Sequence, residues 1–464
     1  MSSKNNIILN SDNVFIIAEV GMNHNGSFNN AIKLIDHAAK IGADCVKFQL
    51  RDIKSLYSKD AINMSSSDLG TEYTLNLIKK FQLTKSQYKE LKKYTEGKGL
   101  IFLCTPWDKE SLRFLERLNL YAYKIASADL TNLDLIKEVC KTKKVILLST
   151  GMSNEKEIYN TVKFIKSKKV KLVLLHTNST YPTPIKDINL NYIDHLKSKF
   201  KVPVGYSGHE RGIKYTLAAV SKGARYIERH ITLDKNMEGP DHAASLDVHE
   251  FKDLITSIRD LEIALGESKE RVITQGEMIN RENLGKSIFT KKLIKTDTVL
   301  TRNMLEIKSP GQGMNPQLLE KIIGKKVYRR ILKGKPLFDS DLRRPVKPKK
   351  NYNTKLKWGI PVRLHDVKNL LKIISPNIVE FHMSYDDINR DIHEYLNDIN
   401  SCGFLVHAPE LFKNDHLLDL CTSDKKYRDL SIRNLQSVIN ITEKLKVFFP
   451  KTIAPYIIVN CGGF

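Results

Sequence analysis

Short runs of apolar, often β-branched residues recur along the first half of the chain, and stretches with helical periodicity separate them. The runs cover residues 14–20, 45–49, 100–105, 121–126, 145–150, 171–177, 202–207 and 224–231. The intervening stretches, such as NNAIKLIDHAAKIGA and EKEIYNTVKFIKSK, place apolar residues every three or four positions, which is typical of amphipathic helices. Apolar strands that alternate with helices predict a parallel sheet covered by those helices.

Eight such units in a row predict the α/β fold of a closed (β/α)8 barrel, the TIM barrel. An open, doubly wound sheet is the alternative. That fold favours the pattern G-x-G-x-x-G directly after its first strand. The stretch after Val20 reads GMNHNG and does not match this pattern. We therefore expect the barrel.

The pattern changes after the barrel. A helical stretch at 248–265 and a polar segment lead into a module with short β runs, glycine turns and two small helices. A Pro- and Lys-rich linker follows, and then four apolar runs that again resemble barrel strands. We predict a barrel domain (1–283), a small β-clip domain (284–345), a linker (346–357) and part of a second barrel (358–464). Four strands are half of an eightfold barrel, so we expect this last region to be truncated or to complete itself by association.

Composition limits the classes of protein to consider. The chain has 464 residues, of which 41% are hydrophobic and 27% charged, as in ordinary multidomain globular proteins. The sequence contains no run of 18 apolar residues that would cross a membrane, and its N-terminus lacks the order of a signal peptide. The six cysteines show no C-x-x-C pairing, which favours free thiols in a reducing cytoplasm.

The formal net charge of +23 raises the question of an anionic partner. Residues 284–348 contain 16 Lys and Arg against 5 Asp and Glu. A solvated basic face, a nucleic-acid surface and a lid that attracts a small anion are the alternatives. Aromatic residues are sparse in this segment, so a base-stacking platform is poorly supported. We expect small-molecule substrates and no nucleic-acid partner.

Polar residues end every predicted barrel strand, and active sites of this fold lie at the carboxyl ends of the strands. The residues in chain order are Glu19, Lys47 with Gln49, Thr105, Lys124 with Ser127 and Asp129, Ser149 with Thr150, His176 with Ser179 and Tyr181, Ser207 with His209, and Glu228 with His230. Any one of them alone is more simply a residue on the barrel rim. Eight consecutive strands that end in such types indicate a site.

The residue types suggest the chemistry. His209 and His230 lie at the ends of neighbouring predicted strands and suit a divalent metal ion, although ordinary loop histidines are the simpler reading for such a pair alone. Two lysines and several hydroxyl groups form a receptor for phosphate and carboxylate groups. The sequence shows neither a Ser-His-Asp order nor a suitably placed cysteine, so it does not indicate acyl transfer. We therefore expect a metal-assisted reaction of a small phosphorylated acid.

A set of motifs in this order resembles the sialic acid synthase family. The motifs are FIIAEVGMNHNG, GADCVKFQ, FLCTPWD, YKIASADL, LLSTGMS, TYPTP, GYSGHE and IERHITLDKNMEGPDHAASL. The resemblance implies a transferase that condenses phosphoenolpyruvate with an N-acetylmannosamine-type or 2,4-diacetamido hexose to a nine-carbon 2-keto sugar acid. The 284–345 module resembles the antifreeze-like (SAF) domain of that family. The region after Trp358 resembles part of a xylose-isomerase-like sugar phosphate isomerase barrel.

The resemblance also implies roles for particular residues. His209 and His230 would hold Mn²⁺, Mg²⁺ or Co²⁺ and belong, with Glu19 and Glu228, to the catalytic set. Phosphoenolpyruvate would be bound by Lys47, Thr105, Lys124, Ser127, Ser149 and Ser207. The acceptor sugar would contact Gln49, Tyr181 and Asp241, and Glu19 or Glu228 would transfer the proton. Asp129 would play a supporting part.

One position departs from the family pattern. Many members carry an arginine before the Pro-Gly of the SAF domain, which reaches the acceptor bound in the partner subunit, and here Ser309 stands there. Lys308 is a substitute without the planar fork of arginine. This departure leaves the identity of the acceptor sugar open. If the basic module acts as a lid over the barrel of the partner subunit, the protein is a domain-swapped homodimer. An isomerase or epimerase based on the C-terminal region and a non-enzymatic carbohydrate- or nucleic-acid-binding protein are the alternative functions.

Overall fold

The computed structural model describes Ile8 and residues 13–58, 69–346 and 354–460. These residues form two compact units, divided between Glu270 and Arg271. The sequence placed the end of the barrel domain after residue 283, and that boundary stays a prediction. Most of the predicted linker, at 347–353, lies outside the described residues.

The first unit contains eight parallel strands, one at each of the eight runs in the sequence. They are β1 (Phe15–Gly21), β2 (Cys45–Leu50), β3 (Ile101–Pro106), β4 (Ala122–Ile125), β5 (Val145–Ser149), β6 (Leu172–His176), β7 (Val204–Gly208) and β8 (Tyr226–His230). Their order is β3-β2-β1-β8-β7-β6-β5-β4, and β3 lies beside β4 at the two ends of that order. The sheet is therefore a near-closed TIM barrel, as predicted.

Helices connect and cover these strands. The α-helices in the described part of the first unit are α1 (Phe28–Ile41), α2 (Ile53–Leu56), α3 (Leu69–Lys80), α4 (Lys85–Gly97), α5 (Lys109–Arg117), α6 (Leu133–Lys141), α7 (Glu155–Ser167), α8 (Tyr192–Phe200), α9 (Lys214–Ser221) and α10 (Val248–Leu265). Side chains at several helix starts accept backbone N–H groups, as Ser27 does before α1 and Asp247 before α10. Such caps satisfy donors that a helix leaves free at its first turn.

Strand periodicity divides the apolar residues of the barrel between two cores. On β1, Ile16, Ala18 and Val20 pack outwards against the helices, whereas Phe15 and Ile17 belong to the core inside the barrel. Successive side chains of a strand point to opposite faces. The next inward position after Ile17 is Glu19, which is polar. The same alternation on the other strands places a polar layer above the apolar inner core, and this layer forms the site.

The second unit begins with α11 (Gln275–Leu284). Residues 284–345 then form the antiparallel pair β9 (Ser287–Thr290) and β10 (Leu305–Lys308), helix α12 (Leu319–Ile322) and three short 3-10 segments. They have their own apolar cluster, which includes Ile288, Leu300 and Leu337. The small size of this domain and its short strands agree with the sequence pattern. Its assignment to the SAF domains stays a prediction.

The remaining residues of this unit form a four-stranded parallel sheet in the order β11-β12-β13-β16. Its strands are β11 (Gly359–Val362), β12 (Ile378–His382), β13 (Gly403–His407) and β16 (Ile457–Ile458), and a small hairpin joins β14 (Leu411–Phe412) to β15 (His416–Leu417). The helices are α13 (Val367–Ile373), α14 (Tyr385–Ile388) and α15 (Lys425–Leu445). One face of the sheet packs with α15 around Phe381, Phe404 and Val438.

Within the described residues, no helix is long and apolar enough to span a membrane. The five cysteines in those residues are free thiols, four of them buried and one, Cys421, exposed. Cys461 lies outside the described residues.

Candidate active site

Twelve of the thirteen residues to which the sequence gave a catalytic, metal-binding or substrate-binding role line one cavity of about 270 Å³ inside the first unit. The twelve are Glu19, Lys47, Gln49, Thr105, Lys124, Ser127, Ser149, Tyr181, Ser207, His209, Glu228 and His230. The register of the sheet brings them together, because Glu19 stands beside Lys47 on one side and beside His230 on the other. The thirteenth, Asp241, approaches this group from the loop after β8.

Lys47 pairs with two carboxylates at the bottom of the cavity. Its Nζ lies 2.7 Å from Glu19 Oε2 and 3.7 Å from Glu228 Oε2, and it donates a hydrogen bond to Thr105 Oγ1 at 3.3 Å. All four side chains are buried. Burial alone would lower the pKa of Lys47, but the charges of Glu19 and Glu228 outweigh it and raise the pKa. The ammonium group therefore stays charged.

The positive charge of Lys124 is less well compensated by nearby carboxylates than that of Lys47. Its Nζ donates to Ser149 Oγ at 2.6 Å and to the carbonyl of Ile125 at 3.1 Å, whereas Glu228 Oε1 is 4.0 Å away. Burial is the largest effect on this lysine and lowers its pKa to about 8, although Glu228 opposes the shift. A buried ammonium group with little charge compensation is ready to accept an anionic ligand.

Glu228 connects the two lysines. Its Oε1 accepts a hydrogen bond from Ser207 Oγ at 3.0 Å. Burial would raise the pKa of this carboxyl, but the ammonium groups of Lys124 and Lys47 hold it well below its usual range. Glu228 is therefore a carboxylate at neutral pH, and it offsets part of the positive charge that the lysines bring into the barrel.

His209 and His230 line the same cavity, with ring centroids 5.6 Å apart. The Nδ1–H of His209 donates to the carbonyl of Asn178 at 2.7 Å, so its Nε2 keeps a lone pair. Burial, followed by the charge of His230, lowers the pKa of His209 to about 3. The Nδ1 of His230 is buried without a hydrogen-bond partner. Two adjacent imidazoles, each with a ring nitrogen that makes no hydrogen bond, fit a divalent metal ion.

The residues assigned to the acceptor sugar lie beside these histidines and Glu19. The Tyr181 ring stacks on His209, with centroids 4.1 Å apart, and Gln49 Nε2 donates to Glu19 Oε1 at 2.7 Å. Asp241 Oδ2 lies 3.8 Å from His230 Nδ1. Amide, phenol and carboxylate groups next to a metal pair can bind the hydroxyls of a sugar.

Other residues of the site were not singled out from the sequence. Trp107 and Met152 also line the cavity, and the backbone carbonyl of Asn178 orients His209. Ser179, which was expected from its place after the sixth strand, lines the cavity as well. Trp107 lies in the FLCTPWD motif, one residue beyond the end of β3, and its position there is the signal that could have identified it. A backbone carbonyl leaves no such signal in the sequence.

Gly151 makes room at the mouth of the cavity. A Cβ atom at this position would lie 2.5 Å from Ser179 Oγ and 2.8 Å from Ser127 Oγ. Real Cβ atoms do not approach other atoms so closely, so any side chain here would displace the two hydroxyl groups.

Polar residues of the GMNHNG loop after β1 hold this loop in place by hydrogen bonds. Asn23 Nδ2 donates to the carbonyl of Ile231 at 2.9 Å and to Ser245 Oγ at 2.8 Å. Asn25 Oδ1 accepts from His242 Nε2 at 2.9 Å. These bonds tie the loop after β1 to the segment after β8, which carries Asp241.

Comparison with known proteins supplies independent evidence. The NeuB family model matches residues 34–270 of this chain. An N,N'-diacetyllegionaminic acid synthase of Campylobacter jejuni is 40% identical over 67% of this chain and 94% of its own length. The human N-acetylneuraminate-9-phosphate synthase is 35% identical over 68% of this chain and 88% of its own length.

A solved structure of a sialic acid synthetase is also similar to this chain. A crystal structure of the N-acetylneuraminic acid (sialic acid) synthetase of Leptospira borgpetersenii, in complex with citrate, superimposes with a TM-score of 0.52 and 34% sequence identity. The match covers 58% of this chain and 90% of that one. The similarity thus lies in the first part of this chain and spans most of the relatives' length.

Proposed function

Because this chain belongs to the NeuB family of sialic acid synthases, enzymes that condense phosphoenolpyruvate with an amino sugar, we propose that its barrel carries out this condensation on an N-acetylmannosamine-type or 2,4-diacetamido hexose. The product is a nine-carbon 2-keto sugar acid, and phosphate is released. The observation that supports the proposal is the cavity itself, which two buried lysines, several hydroxyl groups and two buried histidines line together.

Phosphoenolpyruvate binds at the lysine side in this proposal. Lys47 and Lys124 provide the positive charges, and the hydroxyls of Thr105, Ser127, Ser149 and Ser207 provide neutral donors. A phosphate and a carboxylate together need several donors in a small volume. The bound anion replaces the compensation that Lys124 lacks, since Glu228 Oε1 is 4.0 Å away. Binding thus stabilises the charged form of Lys124.

His209 and His230 would hold a divalent ion, with Mn²⁺ as our first assignment and Mg²⁺ or Co²⁺ as alternatives, as the resemblance to the family implies. When bound, the ion supplies Lewis-acid polarisation of the open-chain aldehyde of the acceptor. Gln49, Tyr181 and Asp241 orient the acceptor so that its aldehyde carbon faces C3 of phosphoenolpyruvate. Close orientation of two bound reactants removes much of the entropic barrier to their reaction.

The two buried carboxylates remain for proton transfer. Water adds at C2 after the carbon–carbon bond has formed, and phosphate then leaves by cleavage of the C–O bond. The low pKa of Glu228 keeps it ionised, which suits the stabilisation of cationic C2 more than the acceptance of a proton. Glu19 is the second candidate, because its Oε2 contacts Lys47 at 2.7 Å within the same cavity.

Phosphate release tests this function. The full-length protein with phosphoenolpyruvate, Mn²⁺ and N-acetylmannosamine or a diacetamido hexose should release phosphate, and a chelator should stop the reaction. His209→Ala and His230→Ala should each lose the activity, whereas His249→Ala, an exposed histidine at the start of α10, should keep it. Full activity in either of the first two variants would contradict the metal assignment. A lack of chelator-sensitive release with every such acceptor would contradict the function.

The isomerase or epimerase alternative for residues 358–464 stays a prediction from the sequence. The same holds for the domain-swapped homodimer, which we propose as the assembly in which the barrel works.

A further inference from the structure

Three side chains that could bind a metal meet in the second unit, in the four-stranded parallel sheet. Glu380 and His382 lie on β12, and His407 ends the neighbouring strand β13. One ligand atom from each lies within 4.8 Å of the ligand atoms of the other two. We call these three residues the Glu380 trio. None of them belongs to the cavity of the first unit.

The register of the two strands sets this arrangement. His382 stands directly opposite His407, and Glu380 precedes His382 by two residues, so that all three project from the same face. The opposite face carries Val379, Phe381 and Phe404, which are fully buried in the apolar core. A rigid, packed pair of strands therefore holds the trio, and its spacing does not depend on a loop.

The contacts within the trio resemble those around a small cation. Glu380 Oε1 lies 3.0 Å from His382 Nε2 and also 3.0 Å from His407 Nδ1. The two imidazole rings are 4.7 Å apart. In a tetrahedral zinc site with ligand bonds of about 2.0–2.2 Å, ligand atoms are separated by roughly 3.4 Å. A small outward movement of the side chains would open a position of that size.

The side chains of the Glu380 trio are also partly exposed to solvent. The side chains of His382, Glu380 and His407 are 40%, 31% and 23% exposed. A cation bound here would have three protein ligands and access to solvent on its remaining positions. Sites with three ligands and an open position bind water or a substrate oxygen, whereas structural zinc sites are closed by a fourth protein ligand.

We propose that the Glu380 trio is a second metal site, which binds a zinc-class divalent ion through two imidazoles and one carboxylate and leaves positions open for an exogenous oxygen ligand. The donor set favours Zn²⁺ or Co²⁺ over Ca²⁺ and Mg²⁺, which prefer oxygen ligands alone. The proposal is independent of the synthase function, because it rests on residues outside the barrel.

Metal binding by the full-length chain tests the proposal. The His209→Ala/His230→Ala variant serves as the parent, since it lacks the histidines assigned to the barrel ion. After treatment with a chelator and its removal, the parent should bind one equivalent of Zn²⁺ by elemental analysis. It should also give visible Co²⁺ absorption bands of a low-symmetry site.

Further substitution of the trio should abolish this binding. His382→Ala with His407→Ala in the parent should weaken Zn²⁺ affinity at least about 100-fold and remove the Co²⁺ bands, because two of three ligands are lost. Glu380→Gln, which keeps the shape of the side chain, should weaken affinity by at least about tenfold. His393→Ala, an exposed histidine of the same unit outside the trio, should change neither quantity. Circular dichroism checks that each variant is folded.

Two results would overturn the proposal. One is a parent that binds no Zn²⁺, which would leave the trio as a carboxylate shared between two histidines by hydrogen bonds. The other is an equal affinity in the parent and the folded Glu380→Gln variant. Neither result bears on phosphate release, which is measured on the wild-type chain, so failure of this proposal and failure of the synthase function remain distinguishable.

Discussion

Single residues carry the electrostatics of the barrel, and Glu228 is the clearest case. It lies between two buried lysines and also accepts from Ser207. When one member of a buried set of opposite charges is removed, the remaining charges are left without a partner. The protein then loses roughly 3–5 kcal/mol of stability.

Glu228→Gln tests this role. We expect a lower free energy of unfolding and a loss of turnover on the order of 10²-fold, as is typical when one preorganised charge is removed from a water-excluded site. Urea denaturation and phosphate release measure the two effects. Glu238→Gln, which removes an exposed partner of Lys80, is the matched control and should change both by little. Similar values for the two variants would refute the assignment.

The pKa of Lys124 predicts a pH dependence. Burial lowers this pKa to about 8, so the amine is protonated below pH 8 and loses its charge above it. Because we assign binding of the anion to the charged form of Lys124, kcat/KM for phosphoenolpyruvate should fall as the pH rises through about 8. The measurement is the pH profile of kcat/KM between pH 6.5 and 9.5, approximately the range in which this group titrates.

Lys124→Arg provides the discriminating variant, because a guanidinium group keeps its charge throughout this range. Its profile should lack the fall near pH 8, even though its activity is lower. Lys33→Arg, at an exposed position on α1, should keep the wild-type profile. An unchanged inflection in Lys124→Arg would assign the titration to another group.

At the scale of elements, the packing of β7 against β8 depends on a glycine. A Cβ atom at Gly205 would lie 2.2 Å from the carbonyl oxygen of Tyr226, so a side chain there would push the two strands apart. These strands carry Ser207, Glu228 and His230, so the same displacement would disturb the site.

Gly205→Ala should therefore destabilise the protein by about 1–3 kcal/mol, the usual cost of overpacking, or by more. Gly276→Ala is the control, because no atom lies within 4 Å of its added Cβ and the residue is in the exposed helix α11. Alanine there should be neutral or stabilising by up to about 1 kcal/mol. The midpoints of urea unfolding measure both, and equal midpoints would contradict the packing argument.

The elements and much of the site could be predicted from the sequence for physical reasons. Buried strands are apolar runs, and parallel strands bring their carboxyl ends to one edge, so residues such as Lys47 and Lys124 were expected to meet. Trp107 and Gly151 were not identified, because their contribution depends on distances between loops. The Glu380 trio was not identified either, since its histidines meet only through the register of β12 and β13.

For the whole molecule, the assembly is the main prediction. The resemblance to the SAF domain leads us to expect an arginine at the position of Ser309, and Lys286 Nζ donates to Ser309 Oγ at 2.6 Å. Lys286 thus brings a positive charge next to this position. We expect a homodimer, with a mass in light scattering of twice the 53.1 kDa of the chain, in which this charge serves the barrel of the partner.

Mixed subunits test that arrangement. His209→Ala should inactivate the barrel, and Lys286→Ala should raise the KM for the acceptor by about tenfold, the loss of roughly one charge-assisted hydrogen bond. When the two variants are unfolded and refolded together, some dimers combine an intact barrel with an intact Lys286 from the partner. Activity at low acceptor concentration should therefore exceed the sum of the separate variants. A monomer, or no gain on mixing, would contradict the swapped dimer.

The most direct test of the central claim is the mass of the product formed by the wild-type chain from phosphoenolpyruvate, Mn²⁺ and an N-acetylated amino sugar. We predict one new acid whose mass equals that of the acceptor plus one pyruvate unit, formed in equal amount to the phosphate released. Phosphate released together with free pyruvate, with the acceptor unchanged, would contradict the account.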